Sequence, residues 1–202
     1  MLCYGEGMPA TKMDTRQSLL DTARRIVAVK GYAAVGINEV LAEADVPKGS
    51  FYHYFSSKDA FGEAMMKSYF DGYLATMDRI VADRDKRAAE HLMWYWQNFY
   101  DTQVVDDCQG GCLVVKLGAE VSDLSEAMRV VMKAGTTAIV DRVEQMIISG
   151  IADGSVSVDA GPRTTAEALY DIWLGASVMA KIHRSPDCLD HAMTVTRQVL
   201  HV

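Results

Sequence analysis

Residues 40–61 read VLAEADVPKGSFYHYFSSKDAF, and the order of residue types in this stretch decides the fold. Ile37, Val40, Leu41 and Ala44 recur at i, i+3, i+4 and i+7, the spacing of a helix with one apolar face. That helix spans about two turns and breaks between Ala44 and Val46. Pro47 suits a first helical turn, and Phe51 with Phe55 one turn later gives a second short helix one buried side. Ser50, Tyr52, His53 and Tyr54 are left available. Two short helices joined by a tight break form the geometry that lays one helix across a DNA backbone and the next in the major groove. Spacing alone leaves a second arrangement open, in which Tyr52, His53 and Tyr54 are half-buried packing groups of an ordinary helix pair.

Outward from this stretch the chain keeps a helical period, with no convincing strand alternation and no repeat. Asp14 with Gln17 three residues on reads as a capping box, and Leu19, Leu20, Ala23, Ile26 and Val27 form a stripe that ends at Lys30-Gly31. Ser56 or Ser57 caps a long fourth helix through Phe61, Met65, Tyr69 and Tyr73 to about Arg84. Lys86 to about Asp101 is helical and aromatic-rich, and Thr102–Gly111 reads as a polar loop. Cys112 opens a further helix, Ser125 to Gly150 a long one, Pro162 to His183 an apolar one, and Pro186 starts the last. The expected class is all-α with about nine helices. The expected division is a flexible tail at 1–13, a three-helix DNA-binding unit at 14–56 and a regulatory and dimerisation unit at 57–202.

The chain has 202 residues, half of them hydrophobic, enough for a sizeable core. Its net charge of −7 is unevenly spread. Residues 1–67 carry eight Lys/Arg and eight Asp/Glu, so the deficit lies wholly beyond them. A neutral N-terminal part can meet phosphate while the acidic remainder points away from it. No apolar run reaches bilayer length and no signal-like start is visible, so the expected location is cytoplasmic, without a membrane partner. Four cysteines, Cys3, Cys108, Cys112 and Cys188, are too few for a disulfide framework and lack zinc spacing. No metal and no cofactor is expected.

The run V-P-K-G-S-F-Y-H-Y-F-S-S-K-D-A-F, with the Gly31-Tyr32 pair, resembles the TetR family of transcriptional repressors over about residues 14–67. The resemblance implies that Lys48, Gly49 and Ser50 start the recognition helix, that Tyr52, His53 and Tyr54 face DNA, and that Lys58 meets phosphate at the next helix N-terminus. Each role suits the chemistry of hydroxyl, imidazole and ammonium donors against phosphate and base edges. It also implies a homodimer on a near-palindromic duplex operator, released by a small molecule. The Leu169–Ile182 helix and the Ala192, Val195, Val199, Leu200 stripe are the apolar surfaces expected to meet in that dimer.

A narrower resemblance lies in GGCLVVKLGAEVSDLSEAMR (110–129) and LYDIWLGASVMAKIHRS (169–185). Both runs are similar to the NemR-type, electrophile-responsive branch of the family and to its acrylate-responsive relatives. By this likeness Cys112 senses an electrophile or oxidant. Its place at a helix N-terminus favours the thiolate, with Lys181 or Lys116 as the neighbouring cation. Cys108 is either a resolving thiol or an unrelated exposed one, and Cys3 and Cys188 are bland. Trp94, Trp96, Tyr100, Tyr170, Trp173 and Ser177 either line a ligand pocket or belong to the core. Two rival readings stand beside this one. One is reversible binding of a hydrophobic or acrylate-like ligand; the other is a thiol enzyme pairing Cys112 with His91 or His183.

Overall fold

Helix α1 (Lys12–Lys30) begins two residues before the expected start at Asp14. The computed structural model describes residues 12–108 and 110–202. Residues 1–11 of the expected tail, with Cys3, lie outside the described residues, while Lys12 and Met13 are already helical. The earlier start also undoes the capping box, since Gln17 now sits beyond the first positions. Its amide donates to Asp21 Oδ1 (3.2 Å) and Ser68 Oγ (3.0 Å) instead. Gly31, at φ 84°, closes α1 through its N–H to Val27 O (2.9 Å), a left-handed turn that a Cβ would strain.

The helix pair falls where the sequence places it, as α2 (Ile37–Glu43) and α3 (Lys48–Tyr54). Phe51 and Phe55 are buried and stack edge-on against Phe61 at 5.1 and 4.8 Å, which pins α3 to α4 (Lys58–Val81). Ser57 caps α4 by accepting the Ala60 N–H at 3.0 Å, a bond worth about 1 kcal/mol to such a helix.

Among the described residues the remaining elements are α5 (Ala88–Cys108), α6 (Leu113–Leu124), α7 (Glu126–Ala152), α8 (Pro162–His183) and α9 (Asp187–Leu200), nine helices in all with no strand. The expected polar loop after Asp101 is shorter than its composition indicates. Helical backbone persists to Val104, after which Val105 is extended and Asp106, Asp107 and Cys108 adopt left-handed φ of 50°, 58° and 60°. One apolar core runs from Leu19 of α1 to Leu200 of α9. Its centre is the crossing of α4 and α7, where Gly135 faces Phe70 so closely that a Cβ would stand 2.3 Å from the ring. No helix among the described residues is long and apolar enough to cross a membrane.

Candidate functional site

Two groups of residues carry chemistry. The first is the outer face of α3. Lys48, Gly49, Tyr52 and His53 are exposed, Tyr52 at 58%, whereas Ser50 and Tyr54 are half-buried. Tyr54 leans on the core rather than standing clear as expected, because its ring sits on the side of α3 that faces Phe55. Lys58 is also less free than expected. Its Nζ lies 5.0 Å over the Tyr32 ring, and the Tyr32 hydroxyl donates to the Lys58 carbonyl at 2.6 Å. Burial is the main reason that the Tyr32 hydroxyl's pKa is pushed up to about 12, so it stays a donor. Arg16 of α1, over the Phe55 ring at 5.4 Å, is a further cation beside this face that the motif does not reveal.

The second group surrounds Cys112, the N-cap residue of α6. The sulfur borders a cavity of about 360 Å³ lined by Tyr69, Tyr73, Phe99, Thr102, Gln103, Val105 and Gly111. The Tyr69 hydroxyl donates to Cys112 Sγ at 3.9 Å, and the Tyr73 and Tyr95 hydroxyls pair at 3.1 Å. Neither Tyr69 nor Tyr73 stands out in the sequence except as part of an apolar stripe. The readable signal is that each hydroxyl on a buried helix face needs a partner.

Burial works against the expected resting thiolate. Cys112 is only 8% exposed, and burial pushes its thiol above the ordinary pKa. The amides of Val115 and Val114, the Tyr69 hydroxyl and the Lys181 charge act the other way but do not reverse it. Desolvation outweighs a helix terminus and a distant cation when the group is enclosed. Lys181 itself is half-buried, and its proton is held less tightly than usual, through burial first, then repulsion from Lys116, with Cys112 opposing.

The expected aromatic pocket does not assemble as one. Trp96 and Trp173 are wholly buried and stack at 5.2 Å with their planes 9° apart, a packing contact worth about 1 kcal/mol beyond its area. Trp173 Nε1 donates to Thr196 Oγ1 (2.9 Å) and Ser177 Oγ to the Trp173 carbonyl (2.7 Å), so both are structural. Tyr170 is buried beside them, and Tyr100 donates to Asp190 (3.0 Å) at the α5–α9 seam. Trp94, two residues before Trp96 and therefore on the opposite side of α5, is 48% exposed and borders a separate hollow with Thr76, Arg79 and His91.

The thiol-enzyme pairing is not assembled either. His91 Nε2 is occupied by the Asp83 carbonyl at 2.9 Å and His183 is exposed at the end of α8. Cys108 is buried, not exposed in a loop, and Cys188 is half-buried. No group of three metal-ligating side chains occurs among the described residues. A further hollow of about 560 Å³ lies between α4, α5 and α7, but its Arg142 is already held by Asp78 at 2.6 and 3.0 Å.

One contact joins the two groups. Glu120, two turns along α6 from Cys112, accepts the Tyr32 N–H through Oε2 (3.1 Å) and the Ala33 N–H through Oε1 (2.7 Å). A single twelve-residue helix thus carries the cavity cysteine at one end and grips the turn between α1 and α2 near the other. A lone Glu on an amphipathic helix gives no sequence signal of such a reach.

A short helix pair with an exposed polar face, seated on a larger helical unit, defines a helix-turn-helix DNA-binding regulator. Residues 19–65 match the family described as bacterial regulatory proteins, tetR family, and residues 86–196 match the tetracyclin repressor-like C-terminal domain. The HTH-type transcriptional repressor NemR of Escherichia coli K12 is 35% identical over 190 residues, 94% of this chain and 96% of that protein. The transcriptional regulator AcuR of Cereibacter sphaeroides is 33% identical, over 89% and 82% of the respective chains. The crystal structure of E. coli NemR in its reduced form superposes with a TM-score of 0.88 at 36% identity, covering 93% of this chain and 97% of that one. The chain belongs to the TetR family of bacterial transcriptional regulators.

Proposed function

We propose that this regulator is a homodimeric repressor that leaves a near-palindromic operator when a reactive small electrophile adds to Cys112. The observation that carries the reading is the span of α6, which sets Cys112 at the wall of a cavity and Glu120 on the backbone of the DNA-reading unit. An adduct on the sulfur adds bulk between α6 and α4. α6 shifts, and the turn that orients α2 and α3 shifts with it. The boundary between reading and regulating units falls at the Ser57 cap of α4. That the structure of NemR, a repressor by its name, is specified as a reduced form supports a redox-active or reactive thiol in this branch.

Dimerisation rests on α8. Ile172, Val178, Met179 and Ile182 are 38–65% exposed along one face of it, an apolar surface that a monomer has no reason to leave in water. The α9 stripe contributes less than its sequence indicates, since Ala192 and Leu200 turn inward. The reversible-ligand reading is favoured by the cavity volume and by a thiol that burial keeps protonated.

Operator release separates the two. Cys112→Ser should bind the operator at wild-type strength and stay bound in the presence of a quinone or an unsaturated aldehyde, with the covalent mass gain of wild type found on its Cys112 peptide. Release of Cys112→Ser as readily as wild type would hand the function to reversible binding.

A further inference from the structure

We propose that Tyr69 selects the class of electrophile, by giving its hydroxyl proton to the carbonyl oxygen of an α,β-unsaturated carbonyl compound while Cys112 adds to the conjugated double bond. The inference rests on Cys112 as the reacting residue and adds a reason for which reagents it takes. Tyr73 and Tyr95 satisfy each other at 3.1 Å, whereas the only partner of the Tyr69 hydroxyl among the described residues is the Cys112 sulfur, at the long distance of 3.9 Å. Sulfur is a weak acceptor. The hydroxyl is therefore a donor with little to lose by turning to a better oxygen inside the cavity that both side chains border. Its ring is held by an edge contact with Phe70 at 5.2 Å and a tilted contact with Tyr73 at 6.0 Å.

The chemistry follows from the enclosure of the sulfur. Cys112 and Phe99 are buried at the inner wall of the cavity, and separated charge is costly there. A displacement reagent such as an alkyl halide must expel both a halide ion and the thiol proton. Conjugate addition expels nothing. The S–C bond forms at the terminal alkene carbon, the π pair moves to the carbonyl oxygen, that oxygen takes the Tyr69 proton, and Tyr69 takes the proton of the Cys112 thiol. The enol then becomes the saturated ketone or aldehyde adduct, with every proton kept. Burial, which opposes the thiolate at Cys112, leaves this neutral route open. The volume, near the lower end of ligand pockets, fits a small reagent.

The test compares two reagents on one residue. Methyl vinyl ketone and iodoacetamide are reacted with the full-length wild type and with Tyr69→Phe, and the adduct on the Cys112 peptide is timed by mass spectrometry. The enone rate should fall at least about tenfold relative to the iodoacetamide rate, less than the roughly 100-fold at the lower end for a well-positioned acid, because the resting contact is long. A purely structural Tyr69, or one acting only on thiol acidity, would slow both reagents alike, and that result would overturn the proposal. If Tyr69→Phe melts early, the solvent deuterium effect on wild type decides: it should be larger for the enone than for iodoacetamide, and equality would overturn the proposal. Operator release of Cys112→Ser by methyl vinyl ketone reports separately on the sensor reading, since the reagent ratio is measured on the thiol itself.

Discussion

Replacing Glu120 by Ala removes both acceptors from the turn after α1. The Tyr32 amide is part-buried and the Ala33 amide exposed, with bonds of 3.1 and 2.7 Å to the carboxylate. A hydrogen bond to a charged group contributes about 1.5–3 kcal/mol, and water replaces most of the Ala33 share, so the loss should be about 2–3 kcal/mol. For a chain of this size that corresponds to a fall in Tm of roughly 5–10 °C. The functional effect is more telling. If α6 transmits through this grip, the same energy bounds the coupling, and the loss of operator affinity on modification of Cys112 should shrink by up to about 30- to 150-fold in Glu120→Ala. Fluorescence anisotropy with labelled operator, on protein with and without an adduct at Cys112, measures both affinities. A release ratio within threefold of wild type would refute the reasoning and move transmission to the α4–α7 contact.

The other expectations are more direct. Tyr52→Ala and His53→Ala should each weaken specific operator binding by about 1–3 kcal/mol with the fold intact, while Lys58→Ala should weaken binding to all sequences and lower the salt slope by about one; a folded Tyr52→Ala, Lys58→Ala double variant that binds normally would dismiss the assigned face. Because burial raises the Cys112 thiol, alkylation should keep accelerating with pH beyond the ordinary thiol range near about 8.5, with Lys181→Ala a minor effect; a plateau below neutrality would show a thiolate at rest. Ile182→Glu, at the most exposed apolar position of α8, should loosen the dimer by roughly 10- to 100-fold in light scattering, whereas an unchanged mass at micromolar concentration would place the interface elsewhere.

What local order determines was readable. The α2–α3 pair, the Ser57 cap, Pro162 at the first turn of α8 and Cys112 at the head of α6 follow from spacing and side-chain chemistry within a few residues. The state of the thiol was not, because a helix N-terminus is visible in sequence and the desolvation that overrides it comes from α4 and α5 folding over the sulfur. Glu120 and Tyr32 are 88 residues apart, so their contact exists only once α6 docks. Trp94 and Trp96 were separable in principle, since positions two apart on a helix face opposite ways. Composition grouped them where periodicity divides them.

The meeting of Gly135 with Phe70 has a mechanical consequence. The Phe70 ring rests directly on the Gly135 backbone, so a tilt of α4 about this contact would be carried along the stretch from Phe70 to Lys58, a lever arm of roughly 18 Å at the helical rise per residue. A tilt of about 5° at that contact displaces the tip by roughly 1.5 Å. In a two-fold assembly the displacement occurs at both ends at once, against a duplex whose half-sites recur every ~34–36 Å. Any residue larger than glycine at 135 would press on the Phe70 ring and push α4 away from α7, so a change buried in the core would be felt at the α4 N-terminus.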